Sequence, residues 1–347
     1  MQRNRLFALI SAGAAGTAAT ISWLSVRRLV DRNRPASLSP VVGVATSARK
    51  VALVVNPSKS GTDEAISAVQ HVCAEAGLAA PLVLESTVED PGQGAARRAL
   101  EAGCDVVIAA GGDGTVRAVA EVLRDTEATL GLIPLGTGNL LARNVEVPLE
   151  DIGTAAFGAV RGPVRTIDTG SVTLNHVDGS SSEHAFLVIA GIGTDADVMD
   201  DTNEELKAKV GWLAYSEAGF RHLPGKRKKI SIALDGGSEQ TRSVRSVLFA
   251  NCGKLQGLDL VPEAKIDDGV LDVVVLSPRS AAGWGWIFLK TAFRARGAIP
   301  VMGFYPSASL KLRCHEPMNT QIDGDGTGLV NGLSVSVRPA SLKIRLA

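Results

Sequence analysis

Residues 105–110, Asp-Val-Val-Ile-Ala-Ala, run straight into Gly111-Gly112-Asp113-Gly114-Thr115, and beyond that turn Val116, Val119, Ala120 and Leu123 recur at helical spacing. No other stretch narrows the fold as much. An unbroken apolar run reads as a buried strand, and the i, i+3, i+4, i+7 spacing reads as a helix with one apolar face. A glycine-rich turn between the two lets backbone N–H groups converge on an anion, and the helix dipole favours negative charge at that point. The competing reading is a tight turn that merely needs small residues. Three glycines around one Asp, closed by a hydroxyl residue, are dense for packing alone and favour a phosphate site.

A second glycine turn, Pro134-Leu135-Gly136-Thr137-Gly138-Asn139, follows the strand-like residues 129–133 and precedes a helical stretch at 140–143. A third, Asn56-Pro57-Ser58-Lys59-Ser60-Gly61, follows the strand-like residues 51–55, and Thr87 stands just after another at 81–85. In a parallel sheet all of these lie at the carboxyl ends of strands, where open α/β sheets bind ligands. Any one turn is weak, but three together favour a nucleotide. Neither a GxxxxGK[ST] loop nor a strand followed by G-x-G-x-x-G is present, so the P-loop and the usual dinucleotide fingerprint do not explain them.

From residue 50 to about 162 the pattern alternates strand and helix, with Ala65, Val69, Val72 and Ala76 as one apolar stripe and residues 95–100 opening another helix. Such alternation predicts a doubly wound α/β domain, its parallel sheet covered on both faces. After Val164 strands dominate, at 165–174, 185–190, 230–234, 244–251, 271–276, 307–313, 333–337 and 342–346, interrupted by helical stretches near 204–221 and 281–296. A second, mostly antiparallel β domain fits best, and a cleft between two such domains is a usual place for a ligand. The chain therefore divides into residues 1–49, 50–163 and 164–347, with the last segment free to return to the first domain.

Charge and cysteine use exclude several classes. Lys plus Arg and Asp plus Glu both number 36, so no global charge points to nucleic acid. Cys73, Cys104, Cys252 and Cys314 form no C-x-x-C pair, which argues against a zinc site or disulfide framework and for reduced thiols. Residues 6–24 carry no charge, a run of about 19 residues and near the minimum for a membrane-spanning helix. Arg3 and Arg5 precede it, while Arg27, Arg28, Arg32 and Arg34 follow; the heavier flank places the following domains in the cytoplasm. A cleaved signal peptide competes with this retained anchor.

Two acidic turns remain. Asp267-Asp268-Gly269 precedes residues 270–273; a carboxylate beside carbonyls suits a hard cation, and an ordinary Asp-Gly hairpin suits the same residues. Asp323-Gly324-Asp325-Gly326 is either a surface turn or the source of a carboxylate that takes a hydroxyl proton in phosphoryl transfer.

Together these motifs resemble the diacylglycerol kinase catalytic-domain family, over nearly all of residues 51–346. The resemblance rests on Asn56-Pro57 with Gly61, residues 111–115, residues 134–139, Val-Gly-Trp-Leu-Ala-Tyr at 210–215, Pro262-Glu263-Ala264 with Asp268-Gly269, and the Asp323 turn. It implies an N-terminal nucleotide domain of NAD kinase/diacylglycerol kinase type and a C-terminal antiparallel β-sandwich, with ATP and a lipid alcohol meeting in the cleft. By motif it implies that Asn56, Thr87, Gly111, Gly112, Asp113, Gly114, Thr115, Val116, Arg117, Gly136 and Thr137 contact ATP. Asp113 would act on the phosphates through Mg²⁺ or water, and Asp325 would be the proton acceptor. Asp268, with the carbonyls of Lys265 and Val270, would form a structural Mg²⁺ site.

The chain departs from the family pattern in three places. Asp325 stands for the usual Glu, Arg117-Ala118 for the commoner Asn-Glu, and Leu140 where an Asp often follows Asn139. The expectation is an ATP- and Mg²⁺-dependent lipid kinase, most simply of diacylglycerol, anchored at the cytoplasmic face of the cell membrane; a homodimer stays open. Rival acceptors are a sphingoid base, a monoacylglycerol or a polyprenol, and the non-enzymatic rival is a membrane-tethered nucleotide- or lipid-binding regulator. Arg221 and residues 226–229 offer either an anionic-lipid patch or a solvated loop. Trp284, Trp286 and Phe288 offer either an acyl-chain entrance or core packing.

Overall fold

The computed structural model describes residues 49–193, 227–255, 258–292 and 299–346. The predicted anchor at 6–24, the helical stretch at 204–221 and the motif at 210–215 lie outside these residues. Among the described residues no helix is long and apolar enough to cross a membrane.

Strands β1 (Val51–Val55), β3 (Val106–Gly111) and β4 (Thr129–Pro134) are buried along their whole length, as runs without polar alternation require. With the half-exposed edge strand β2 (Leu82–Glu85) they pair in parallel, in the order β4-β3-β1-β2. The chain goes from β1 out to β2 and then crosses back to β3, so the winding reverses between β1 and β3. That reversal is where an open α/β sheet opens a crevice at its strand ends.

The connecting helices are α1 (Thr62–Glu75), α2 (Gln93–Glu101) and α3 (Asp113–Leu123). Ala65, Val69 and Val72 of the predicted stripe are buried, while Ala76 caps α1 instead. Helix α3 buries Val116, Val119, Ala120 and Leu123. A short α4 (Leu140–Asn144) and a longer α5 (Ile152–Arg161) complete the layer. Helix α5 escaped the sequence reading because its buried face is mostly Ala155, Ala156 and Ala159; its start is marked by Asp151, whose carboxylate accepts the Thr154 N–H at 2.8 Å.

The second half is built from β5 (Val164–His176), β6 (Ser181–Phe186), β7 (Ile189–Gly193), β8 (Lys228–Leu234), β9 (Gln240–Val244), β10 (Ser246–Ala250), a small β11–β12 hairpin (Lys254–Leu255, Leu258–Asp259), β13 (Leu271–Leu276), α6 (Ala281–Ala292), β14 (Met302–Ser307), β15 (Ser309–Ile322) and β16 (Asp325–Arg345). Its strand pairs are antiparallel. Phe186, Ile192, Phe249, Val273 and Leu312 meet in a second core, separate from the core under the parallel sheet. This is the predicted β-sandwich.

The sequence reading misplaced several strand limits, each for a local reason. The predicted strands at 333–337 and 342–346 are one strand, β16, bent where Ala340 takes φ 51° and the register with β5 shifts between Arg338 and Leu342. Its end adds to the first domain in parallel, pairing Lys343 with Thr129 and Ile344 with Leu130. The predicted strand at 185–190 breaks between β6 and β7 because the N–H groups of Leu187, Val188 and Ile189 turn to the Asp323 carboxylate. The strand predicted at 307–313 breaks at Ala308, whose N–H and that of Ser309 both go to Asp235 at 2.9 Å.

Candidate active site

The three glycine turns meet at the carboxyl ends of β1, β3 and β4. The Asn56 N–H donates to the Ala110 carbonyl at 3.1 Å and the Leu135 N–H to the Gly111 carbonyl at 2.9 Å, which stitches each turn to its neighbour. A Cβ on Gly136 would lie 2.7 Å from the Gly112 Cα, so two turns touch backbone to backbone and no side chain fits between them. Asn139 locks this contact. Held at φ 48°, it accepts the Gly136 N–H at 3.0 Å and donates to the Gly136 carbonyl at 2.6 Å.

Gly112 is the N-cap of α3, in extended conformation and with no side-chain cap. The first-turn amides of Asp113, Gly114 and Thr115 have no carbonyl one turn back within the helix and point out of its positive end. That is an anion cradle. Val116 does not share in it: its N–H donates to the Gly112 carbonyl at 3.0 Å, and its side chain joins the core. Thr115 is buried too, its side chain so close to Gly111 that a Cβ there would meet it at 2.7 Å. Of these two residues, it is the Thr115 amide that helix geometry leaves facing the anion position. The stem of Lys59 passes beside Gly112, a cation that the sequence reading gave no role.

Three carboxylates gather at the start of α3. Asp113 accepts the Leu140 N–H at 2.6 Å. Burial pushes its carboxyl up to about 6, helped by the nearby charges of Asp323 and Asp325 and opposed by the N–H groups of Leu140 and Asn139. Asp323 is buried, at φ 47°, and accepts the N–H groups of residues 187–189 at 2.8 to 2.9 Å. Burial pushes its carboxyl above the usual range, while Arg117 and those amides pull the other way. This anchoring role was missed; the only sequence sign of it is the first Asp of the acidic turn. Asp325, the predicted proton acceptor, lies over the first turn of α3: a Cβ on Gly114 would be 3.5 Å from its Oδ2. Its carboxylate accepts a hydrogen bond from Arg117 at 2.8 Å.

The other predicted residues divide. Asn56 stands beside the glycine turns, its side-chain oxygen accepting from the Ser58 N–H at 3.0 Å and hydroxyl at 2.7 Å. Thr137 is exposed on the second turn. Thr87 follows β2 on the same sheet edge, but its hydroxyl accepts the Asp90 N–H at 3.0 Å and closes the turn into α2. The Asp268 turn lies apart, near buried Asp168, which accepts the N–H groups of Gly269 and Ala340 at 2.6 and 2.7 Å. There the Asp268 side chain accepts the Val270 N–H at 3.2 Å. Among the described residues no three His, Cys, Asp or Glu side chains converge tightly enough to hold a metal. Of the aromatic stretch on α6, Trp284 packs against the first core and Trp286 is exposed. Of the basic cluster, Lys228 donates to the Pro317 carbonyl at 2.9 Å.

Comparison with known proteins places these features in context. Residues 50–172 match the family model for the diacylglycerol kinase catalytic domain, and residues 188–346 match the YegS C-terminal NAD kinase beta sandwich-like domain. A diacylglycerol kinase of Bacillus subtilis is 32% identical over 241 residues, covering 67% of this chain and 75% of that one. A "Probable lipid kinase YegS-like" of Pseudomonas aeruginosa is 31% identical over 314 residues, covering 86% and 94%. In fold, a crystal structure of a diacylglycerol kinase from Bacillus anthracis superposes with a TM-score of 0.69 at 22% identity, covering 88% of this chain and 99% of that one.

Proposed function

Because the chain belongs to the diacylglycerol kinase catalytic-domain family, whose members as kinases use ATP, we propose that it transfers the γ-phosphoryl group of ATP to the hydroxyl of a lipid alcohol, diacylglycerol first among them. One observation carries this reading: Asp325, from the second domain, stands over the first turn of the helix whose amides form the anion cradle. An acid beside a phosphate site is what transfer to an alcohol requires.

The residues present fit a nucleotide. Gly112 and Gly136 let the two turns meet backbone to backbone, an approach that a methyl group would prevent. The amides of residues 113–115 hold the phosphates, Lys59 adds a cation beside them, and Asn56 and Thr137 border the nucleotide. Thr87 acts on it through the shape of the turn it closes. Asp325 orients the lipid hydroxyl and receives its proton. Asp113 holds the second turn in place through the Leu140 N–H and presents negative charge at the cradle. Mg²⁺, when bound, neutralises phosphate charge; Asp113 is the residue that would hold it. The Asp268 carboxylate with the Lys265 and Val270 carbonyls offers the oxygen donors of a hard-cation site, in the structural role. The uncharged run at 6–24 would tether the enzyme to the cytoplasmic face of the membrane, where its substrate resides, and so raise local concentration.

Labelled ATP with a panel of lipid alcohols in mixed micelles, followed by mass analysis of products, tests the reaction. Phosphatidic acid is the expected product. ATP binding without transfer to any alcohol contradicts the proposal. Cell fractionation tests the tether, for which full-length protein found only in the soluble fraction is the contrary result.

A further inference from the structure

We propose that Arg117 is a positioning residue for Asp325 and not a ligand of the nucleotide, an inference that rests on the phosphoryl-transfer reading above. Arg117 lies one helical turn beyond Asp113 on α3, on the same face. From there its guanidinium crosses to the other domain and grips the acidic turn twice, one arm donating to the Ile322 carbonyl and the other to Asp325 Oδ2 at 2.8 Å. These two acceptors bracket the turn. The planar fork of arginine suits such paired recognition, and a lysine, as a point charge, cannot reproduce it.

The turn is fastened from its other side by Asp323, which sits in the amides of residues 187–189. Asp323 also donates its own N–H to the Ile189 carbonyl at 2.8 Å, so it fixes the backbone at the start of the turn. The next residue, Gly324, takes φ 95° and donates its N–H to the Gln321 side-chain oxygen at 2.9 Å, and Asp325 pairs with Ile322 across the hairpin; these fix the backbone and leave the Asp325 carboxylate itself to be oriented. Arg117 supplies that constraint. Its side chain is 22% exposed against 53% for Asp325, so the guanidinium is tucked under the carboxylate it holds. Reaching the phosphates instead would give up both bonds. An Asp side chain reaches one methylene less far than a Glu, and its placement then depends on how firmly the turn is held. A misplacement of about 1 Å costs on the order of a hundredfold in rate.

The test is steady-state kinetics and ATP titration calorimetry on Arg117→Ala, Arg117→Lys, Asp325→Asn and the double variant Arg117→Ala/Asp325→Asn. For Arg117→Ala, kcat is expected to fall about tenfold to a hundredfold, with ATP affinity unchanged to within about twofold, since the interaction lost acts on the acid and not on ground-state binding. Arg117→Lys should recover part of that loss. The double variant should be no slower than Asp325→Asn, because a residue that acts only through Asp325 has nothing left to position. An unchanged kcat with weakened ATP binding, or a double variant slower than Asp325→Asn by the full factor seen for Arg117→Ala, overturns the proposal. Should Arg117→Ala fail to fold, the same criteria apply to Arg117→Lys and its double. A wild-type chain that phosphorylates no lipid alcohol brings down the phosphoryl-transfer reading itself, a result distinct from an active enzyme whose Arg117 variants keep kcat.

Discussion

Replacing Asp113 with Asn should abolish transfer and yet make the protein more stable at alkaline pH. Burial and the neighbouring charges of Asp323 and Asp325 raise this carboxyl from 3.8 to about 6, so folding favours its protonated form. Below about pH 4 it is neutral in both folded and unfolded chains and costs nothing. As pH rises from about 4 to about 6 the unfolded chain sheds its proton first, and the fold loses stability. By pH 8 the cost is complete: a difference of roughly two pH units at 1.36 kcal/mol each, or about 3 kcal/mol. Asn keeps an oxygen for the Leu140 N–H and carries no charge. The expected gain at pH 8 is therefore 1 to 3 kcal/mol, with the upper figure about 3. Near pH 5 the wild-type carboxyl is already mostly protonated when folded, and the gain should shrink by about 1.4 kcal/mol. Urea denaturation of both proteins at the two pH values reads this directly. A variant less stable than wild type at pH 8, or a gain equal at both, would show that the Asp113 environment is not the one described.

Other substitutions probe the remaining parts. Asp323→Ala leaves the three amides of residues 187–189 without their acceptor and should cost about 2–4 kcal/mol of stability; a loss under about 1 kcal/mol by denaturant titration would contradict the anchor. Gly136→Ala places a methyl 2.7 Å from the Gly112 Cα and forces the two turns apart, at about 1–3 kcal/mol. ATP affinity should fall at least tenfold by calorimetry, and unchanged affinity would mean that the contact between those turns does not shape the nucleotide site. Asp325→Asn should lower kcat about a hundredfold or more, leaving a measurable residual rate, while ATP still binds, because the amide cannot accept the hydroxyl proton; full activity removes Asp325 from the mechanism.

The parallel sheet was legible because β1, β3 and β4 are apolar without interruption, and nothing but burial on both faces explains such runs. The turn after β3 was legible for a different reason, since glycines there answer to backbone approach, which composition reveals. Strand limits in the second half were harder to read. Residues 185–190 look continuous, and the break at 187–188 is imposed by a carboxylate from the far end of the chain, at Asp323. Long-range partners of that kind leave no local trace. The same holds within the site. Asp325 could be picked out by its turn, but its tie to Arg117 spans 208 positions and no spacing rule relates the two. Val116 shows the reverse case: motif membership suggested a ligand contact, and the structure commits its amide to the helix.

The most direct measurement is a crystal structure of this chain with a non-hydrolysable ATP analogue. The triphosphate should lie against the amides of residues 113–115, beside the contact of Gly112 with Gly136, with its terminal phosphate facing Asp325. An analogue bound with its phosphates away from those amides would contradict the account at its base.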